Sequence, residues 1–441
     1  MVENTASVEE PARTPFHRAW PIALVSCLTI VAAAAFAAMP GILTDPLHAE
    51  YGWSRGTIGT AASVNMVVHG LIAPFAAALM DRFGIRRVAL AALGAVVAGA
   101  GLTTVMTTPW QLTLYWGVLI GAGTGSLAMT FAATVTDNWF VERRGLVIGA
   151  LTGSSAFGQM VFLPALAWTV ENQGWRPALV TLALTAGVMT VLVALVLRDH
   201  PADLGQRPYG SPVFVERPRA DRGAARRTVA VLSSSVRGRR FWLLAGTFAV
   251  CGATTNGIIW THFVPAAQDH GMAVTVAAAL VSTVGVFSLV GTVLSGWLTD
   301  RVDPRALLVV YYAGRGALLA ALPALLGPDA GAAMAAFVVV FGLLDVATVP
   351  PTILLCRRVF GADGAIVFGW VNAVHQVGAG VMAVFGGFAR DVGGSYGPVW
   401  LMAAALCAVA GLLAFNLPRG TGPDLADEGP AVAGDDERER A

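Results

Sequence analysis

Long apolar segments separated by short polar ones dominate this chain. A helix needs about 20 apolar residues to cross the roughly 30 Å hydrocarbon core of a bilayer. Twelve segments are of that order of length, and most charged residues fall in the loops between them. In chain order, these spans 1 to 12 cover residues 20–43, 57–80, 88–106, 110–136, 145–170, 177–197, 241–266, 274–298, 306–326, 331–355, 364–388 and 398–417. The pattern predicts an all-α membrane protein with twelve transmembrane helices.

A charged loop occurs twice, once in each half of the chain. One copy joins spans 2 and 3 and the other joins spans 8 and 9, so the copies lie about half of the 441 residues apart. The first copy contains Asp81, Arg82, Gly84, Arg86 and Arg87, and the second contains Gly296, Asp300, Arg301 and Arg305. This repetition predicts two pseudo-symmetric six-helix bundles, at residues 19–198 and 240–418.

The arginines of the loops predict the orientation. The short loops on the side of both chain ends carry nine arginines, and those on the other side carry three. Because arginine-rich loops stay in the cytoplasm, we expect a protein of the cytoplasmic (inner) membrane with both termini inside. An N-terminal tail at 1–18, a basic linker at 199–239 and an acidic, disordered tail at 419–441 would then be cytoplasmic. We expect the linker to face anionic lipid and not nucleic acid, because it matches no nucleic-acid-binding fold.

Composition limits the function classes further. Hydrophobic residues make up 56% of the chain and charged residues 12%, with a mean hydropathy of +0.67, which argues against a soluble enzyme. The chain has no lysine, so a fixed cation inside the membrane must be arginine or protonated histidine. Four cysteines without paired spacing predict buried thiols and neither a disulfide nor a metal site.

Six spans, a long linker, six more spans and the two charged loops resemble the major facilitator superfamily. The loop signature of that family reads Gly-x-x-x-Asp-Arg-x-Gly-Arg-Arg/Lys. In the first copy Ala77 replaces the first glycine, and in the second copy Asp303 stands where the second glycine is expected. The resemblance implies that Asp81 and Asp300 pair with an arginine or a helix dipole and latch one face closed, while Ala77 or Gly296 lets another helix approach. In the alternative, the arginines are only topology anchors.

Four stretches resemble the bacterial branch related to monocarboxylate and oxalate–formate carriers. They are Tyr51-Gly52-Trp53-Ser54-Arg55, Gly174-Trp175-Arg176, Pro201-Ala202-Asp203-Leu204-Gly205 and Phe241-Trp242-Leu243-Leu244. Three features of those carriers are absent: the acidic-Gly-x-x-x-Trp pattern of span 1, the Asp–Arg pair of span 8 and the lysine of span 11. The resemblance therefore implies a small organic anion as solute without fixing its identity.

Two full charges, Arg315 in span 9 and Asp345 in span 10, lie deep inside predicted spans. At 1.5 Å per residue they lie roughly 15 and 18 Å from the cytoplasmic loops. This similar depth predicts that they pair, directly or through one polar group. One hypothesis is a fixed structural pair; the other makes Asp345 a proton carrier and Arg315 the anchor of an anionic solute.

Two histidines inside the spans have amides nearby. His69 has Asn65 one turn away, and His375 is next to Gln376 with Asn372 one turn back. Each histidine is either a packing residue or a cavity residue that couples protons, because imidazole titrates near neutral pH. Further candidates for hydrogen bonds to a solute are Asn256 in span 7 and Gln159 in span 5.

Small residues and prolines predict how some spans pack and bend. Glycines recur every fourth residue in two spans, which predicts close helix contacts and not a phosphate-binding loop. They are Gly117, Gly121 and Gly125 in span 4, and Gly149 and Gly153 in span 5. Pro350 and Pro351 follow Asp345 closely and predict a break in span 10 that lines a cavity.

These observations predict a secondary transporter that moves a small-molecule solute through the lipid bilayer by alternating access, with protons or by exchange. We expect a proton gradient or exchange to drive transport, because nothing resembles an ATP site. We also expect a monomer with no cofactor, no metal and no enzymatic activity. Proton-antiport efflux of drugs or metabolites is the alternative, although span 5 lacks the Gly-Pro of that group. A solute sensor that does not transport and a membrane-embedded enzyme are the remaining alternatives.

Overall fold

The computed structural model describes residues 17–37, 39–217 and 223–417. Within these ranges twelve helices are long and apolar enough to cross a membrane, as the hydropathy pattern predicts. They are Ala19–Tyr51, Arg55–Phe83, Ile85–Thr103, Pro109–Trp139, Arg144–Gln173, Trp175–Val196, Arg239–Asp269, Val274–Thr299, Pro304–Leu325, Ala332–Phe360, Gly364–Gly393 and Gly397–Phe415. The predicted tail at 419–441 and most of the tail at 1–18 lie outside the described residues.

Spans 1–6 form the N-terminal bundle and spans 7–12 the C-terminal bundle. Because each bundle has an even number of spans, the linker and both ends of the described chain lie on the same side of the molecule, here called the linker face. The opposite side, with the loops after spans 1, 7 and 11, is the distal face. A helix in the linker, Ala224–Ser235, packs against span 11, where the main-chain oxygen of Thr228 accepts a hydrogen bond from Trp370 Nε1 at 3.0 Å.

Glycine spacing predicts the packing of span 4 correctly. A Cβ added to Gly121 or Gly125 would lie 2.8 Å or 2.6 Å from main-chain oxygens of span 2, so the two helices touch backbone to backbone. The same prediction for Gly149 and Gly153 in span 5 is wrong. In the part of the chain that the structure describes, no atom of another element lies within 4 Å of a Cβ added to Gly149, and the nearest to one on Gly153 is a leucine methyl group at 3.9 Å.

Span 10 breaks after Asp345, as the double proline predicts, but among the described residues none of span 10 lines the cavity between the bundles, so that part of the prediction is wrong. The helix Ala332–Asp345 ends there, and a second helix, Val349–Phe360, begins after three intervening residues. Proline has no N–H, so Pro350 and Pro351 cannot donate to the carbonyls one turn earlier. The carbonyl oxygen of Ala347 instead accepts a hydrogen bond of 2.6 Å from the hydroxyl of Ser295 in span 8.

The first charged loop is a tight turn between two helices. Gly84 ends span 2 with φ at +91°, where an L side chain is strained, and an added Cβ would overlap the Asp199 carboxylate. Asp199, which follows span 6, accepts a hydrogen bond of 2.8 Å from the main-chain nitrogen of Arg86. The guanidinium of Arg86 also donates to the Ala194 carbonyl, so this loop joins span 3 to the end of span 6.

The second charged loop is built differently. Asp303 replaces the glycine of the signature and caps span 9, where its carboxylate accepts a 3.0 Å hydrogen bond from the main-chain nitrogen of Arg305. The Arg305 side chain donates to the same carboxylate, which holds the pKa of Asp303 below its usual range. Among the described residues, no atom of another element lies within 4 Å of a Cβ added to Gly296, so the expected close approach of another helix is not present in this conformation.

Candidate functional site

A cavity of about 290 Å³ lies at mid-span between the two bundles. Apolar residues from spans 1, 2, 4, 5 and 7 form much of its wall, including Phe36, Met66, Met129 and Trp260. Nine polar residues also line it: Asn65, His69, Thr124, Thr152, Ser155, Gln159, Asn256, Asn372 and Gln376. This mixture suits a small solute that is held by a few directed hydrogen bonds.

Six of the residues singled out from the sequence line this cavity. They are Asn65, His69 and Gln159 in the N-terminal bundle and Asn256, Asn372 and Gln376 in the C-terminal bundle. Thr152, Ser155 and Trp260 also line the cavity, although nothing in the sequence pattern distinguishes them. Hydroxyl and aromatic side chains are frequent on helix surfaces that simply pack together, so their types alone carried no signal.

Span 4 holds the polar side chains of span 2 in place. The amide nitrogen of Asn65 donates to the Trp116 carbonyl at 2.7 Å, and His69 Nδ1 lies 3.1 Å from the Thr124 hydroxyl. The close contact of the two helices at Gly121 and Gly125 makes these distances possible. One nitrogen of the His69 imidazole is thereby engaged by Thr124.

The C-terminal bundle contributes part of the cavity wall through span 7, which contains a π-helical stretch, Ala253–Ile259. Asn256 is the only residue of this stretch that is not buried. Its amide nitrogen lies 3.5 Å from the amide oxygen of Gln376 in span 11, and both side chains line the cavity. Among the described residues of the wall, none carries a fixed charge and His69 is the only histidine.

The structure places Arg315 and Asp345 together but away from this cavity. Both are fully buried inside the C-terminal bundle, and neither is part of the wall. As predicted, one polar group connects the two charges. It is Thr255, whose hydroxyl donates to Asp345 Oδ1 at 2.7 Å and lies 3.5 Å from Arg315 Nη1. The guanidinium also donates to the main-chain oxygens of Leu344, at 2.9 Å, and of Asp345.

Arg315 therefore closes the carboxyl end of the broken helix in span 10. The last carbonyls of a helix lack partners and carry the negative end of its dipole, which a guanidinium neutralises. Because these contacts inside the bundle occupy the guanidinium, Arg315 is not available to bind a solute in the cavity.

His375 differs from His69 in its surroundings. It is buried between spans 7 and 11, its Nδ1 lies 3.1 Å from the Phe248 carbonyl, and it does not line the cavity. His375 therefore packs between helices of the C-terminal bundle, whereas His69 lies in the cavity wall.

The distal face is closed by contacts between the bundles. Spans 2 and 11 touch at Gly59, where an added Cβ would lie 2.7 Å from the Ala383 carbonyl oxygen. The carboxylate of Asp391 in span 11 accepts hydrogen bonds from the main-chain nitrogens of Arg55, at 3.2 Å, and Gly56, at 2.8 Å. An acidic residue of one bundle thus caps the first turn of a helix in the other.

Charged side chains surround this cap. Arg55 pairs with Asp45 at 2.9 Å within the N-terminal bundle and lies 3.9 Å from Asp269 of the C-terminal bundle. Arg390 pairs with the same Asp269 at 2.6 Å. Arg390 and Asp269 both belong to the C-terminal bundle, so among these pairs only the contact of Arg55 with Asp269 joins the two bundles. That contact and the hydrogen bonds of Asp391 have to separate if the cavity is to open toward the distal face.

We expect Asp391→Ala to favour opening of the distal face. Loss of a helix N-cap costs about 1 kcal/mol, and here the cost falls on the distal-closed state alone, so its population relative to the open state should drop roughly fivefold. The measurement is the labelling rate of Ala62→Cys, in the cavity wall, by an impermeant thiol reagent added on the distal side. Asp329→Ala, an exposed acid on a distal loop, is the control, and equal labelling in both variants would contradict the role of Asp391.

Twelve spans in two bundles around a central polar cavity define a membrane transporter fold. Residues 24–365 match the family described as Major Facilitator Superfamily. The match covers most of the chain, and the chain belongs to this superfamily.

Curated relatives span nearly the same length. The chain is 29% identical to monocarboxylate transporter 13 of Bos taurus, over 88% of each protein. It is 25% identical to the uncharacterised MFS-type transporter YcxA of Bacillus subtilis, over 83% of this chain and 85% of that protein. It is 26% identical to the oxalate:formate antiporter of Oxalobacter formigenes, over 67% of each.

A solved structure has the same fold. The xylose transporter XylE of E. coli, in an inward-open conformation, superposes with a TM-score of 0.66 over 91% of this chain and 97% of that chain. At 14% sequence identity the likeness concerns the fold alone.

Proposed function

We propose that this protein is a secondary transporter that moves a small organic anion of the monocarboxylate class by alternating access, together with a proton. The observation that carries the proposal is the cavity of about 290 Å³ between the bundles, with polar groups from both and one histidine. The relatives named as monocarboxylate transporter and oxalate:formate antiporter support this solute class.

The charge balance of the cavity supports coupling to protons. A carboxylate that leaves water for a largely apolar cavity pays a large desolvation cost unless an opposite charge compensates it. The described wall residues offer no fixed cation, and we propose that the compensating charge arrives as a proton, on His69 or on the solute itself. One anion and one proton would then cross together without net charge.

Orientation and location follow from the arginines of the loops. We place the linker face in the cytoplasm and the protein in the cytoplasmic membrane, because arginine-rich loops remain inside. We take the monomer as the working unit, since the cavity lies within one chain.

Uptake into proteoliposomes tests the proposal. Labelled lactate, pyruvate, oxalate and a cationic dye are offered with and without an inward proton gradient, and uptake of a monocarboxylate that the gradient stimulates is the expected result. Efflux of an apolar solute is the second candidate, because Phe36, Met66 and Trp260 give the cavity aromatic and apolar surface. Strong movement of the dye without movement of any acid would replace the first proposal by the second.

We expect His69→Gln to uncouple transport from the proton gradient. Glutamine can still hydrogen-bond Thr124 but cannot carry a proton. With one proton per solute, a gradient of one pH unit supports about tenfold accumulation, and in this variant we expect the ratio to fall to about one while exchange without a gradient continues. His375→Gln, a change outside the cavity, is the matched control. Full accumulation by His69→Gln would assign the proton to the solute.

A further inference from the structure

Arg315 and Asp345, here called the buried pair, and the cavity both contact the π-helical stretch of span 7. Arg315 Nη1 donates to the Thr254 hydroxyl at 3.0 Å, and the Thr255 hydroxyl donates to Asp345 at 2.7 Å. The residue that follows these threonines is Asn256, which points into the cavity. Two consecutive side chains thus contact the buried pair, and the third belongs to the wall.

Span 11 holds the same stretch from the other side. An added Cβ would overlap the His375 carbonyl at Gly252 and would lie 2.6 Å from the Ala379 carbonyl at Gly257. The stretch is therefore fixed between span 11 and the pair formed by Arg315 and Asp345.

The winding of this stretch decides which side chain faces the cavity. Successive residues of a helix are rotated by about 100°. A shift of the stretch by one residue, toward regular α-helical winding, would turn Asn256 out of the wall and bring Thr255 or Gly257 into its place. Isolated π-helical turns are rare in proteins, so specific side-chain contacts have to maintain this one.

We propose that Arg315 and Asp345 are positioning residues for solute recognition: through Thr254 and Thr255 they fix the winding of span 7 so that Asn256 faces the cavity beside Gln376. The pair acts through span 7 and does not touch the solute. The inference rests on the proposed function only in taking this cavity as the solute site, and the position of Asn256 can be measured without any solute.

Thiol labelling measures that position directly. Asn256→Cys is introduced into the full chain in liposomes, and the rate of its modification by N-ethylmaleimide is followed by mass spectrometry of the peptide around position 256. We expect Thr255→Val to lower this rate roughly tenfold, as the loss of one hydrogen bond to a charged group changes a local equilibrium by about that factor or more. Thr255→Ser keeps the hydroxyl and should restore the rate.

Ser288→Ala is the matched control. Ser288 lies in span 8, and its hydroxyl donates to the other oxygen of Asp345, Oδ2, at 3.3 Å. This change also removes a hydrogen bond from the buried carboxylate but none from span 7, so we expect the labelling rate to stay within about twofold of the parent rate.

Two outcomes would overturn the inference: an unchanged labelling rate in Thr255→Val, or an equal drop in Ser288→Ala. If Thr255→Val does not assemble in the membrane, Thr254→Val removes the acceptor of Arg315 and has to give the same drop. Failure of every acid in the uptake panel would refute the proposed function and leave this labelling result standing.

Discussion

Arg315→Met should lower the free energy of unfolding by about 3–5 kcal/mol, the usual cost of leaving the partner of a buried charge uncompensated. The guanidinium is fully buried and donates to Thr254 and to the Leu344 carbonyl, so its loss strands several polar groups at once. Methionine fills a similar volume without polar atoms, which limits the contribution of a cavity. Denaturation of the purified protein in detergent, followed by intrinsic tryptophan fluorescence, gives the change.

Two further variants test which contacts of Arg315 account for this loss of unfolding free energy. Arg237→Met removes an arginine that is exposed on the linker and should change stability by less than about 0.5 kcal/mol. The double change of Arg315→Met with Asp345→Leu removes both charges, and we expect it to recover only part of the loss. The main-chain carbonyl of residue 345 still lacks its donor in the double variant, and an unpaired buried carbonyl costs about 1–3 kcal/mol. Full recovery would show that Arg315 does not act as a helix cap.

The hydropathy pattern was enough to predict the number and order of the spans, because a helix that crosses the bilayer needs an apolar segment of a minimum length. It also sufficed for the break in span 10, since two adjacent prolines remove two donors from any helix. The linker helix Ala224–Ser235 was not predicted. Its sequence is short and rich in serine and arginine, and its contact with Trp370 decides its place.

The rotation of each helix about its own axis could not be predicted. His69 and His375 have the same local pattern, with an amide one turn away, yet one lines the cavity and the other packs against Phe248. The glycines of spans 4 and 5 likewise share one spacing, but only those of span 4 face another backbone. Periodicity identifies a face of a helix, and the neighbouring helices decide what that face meets.

The buried pair illustrates the same limit. Depth along the spans predicted that Arg315 and Asp345 would meet, because residues of adjacent antiparallel helices at equal depth are neighbours. The sequence did not reveal that the guanidinium binds main-chain oxygens, since those acceptors exist only where the helix of span 10 ends. Nor could it reveal the π-helical stretch of span 7, which has no signal in the apolar pattern.

Gly59→Leu should slow solute uptake roughly 10- to 100-fold while the protein still assembles in the membrane. The distal face closes only when spans 2 and 11 touch at Gly59, where even a Cβ would lie 2.7 Å from the Ala383 oxygen. Overfilling a packed contact costs about 1–3 kcal/mol, and each factor of ten in a population corresponds to about 1.4 kcal/mol. This cost applies to the distal-closed state and not to the folding of either bundle.

The initial rate of uptake per molecule of inserted protein is the measurement, and Gly149→Leu is the matched control. Gly149 also lies in a span, but an added Cβ there meets no atom of another described element within 4 Å, so a leucine at this position should be tolerated. Distal labelling of Ala62→Cys should rise in the Gly59 variant, because a wedge between spans 2 and 11 holds the cavity open on that side. Slow uptake without increased distal labelling would mean that the wedge damages the fold, and rapid uptake in Gly59→Leu would mean that transport does not require this contact to close.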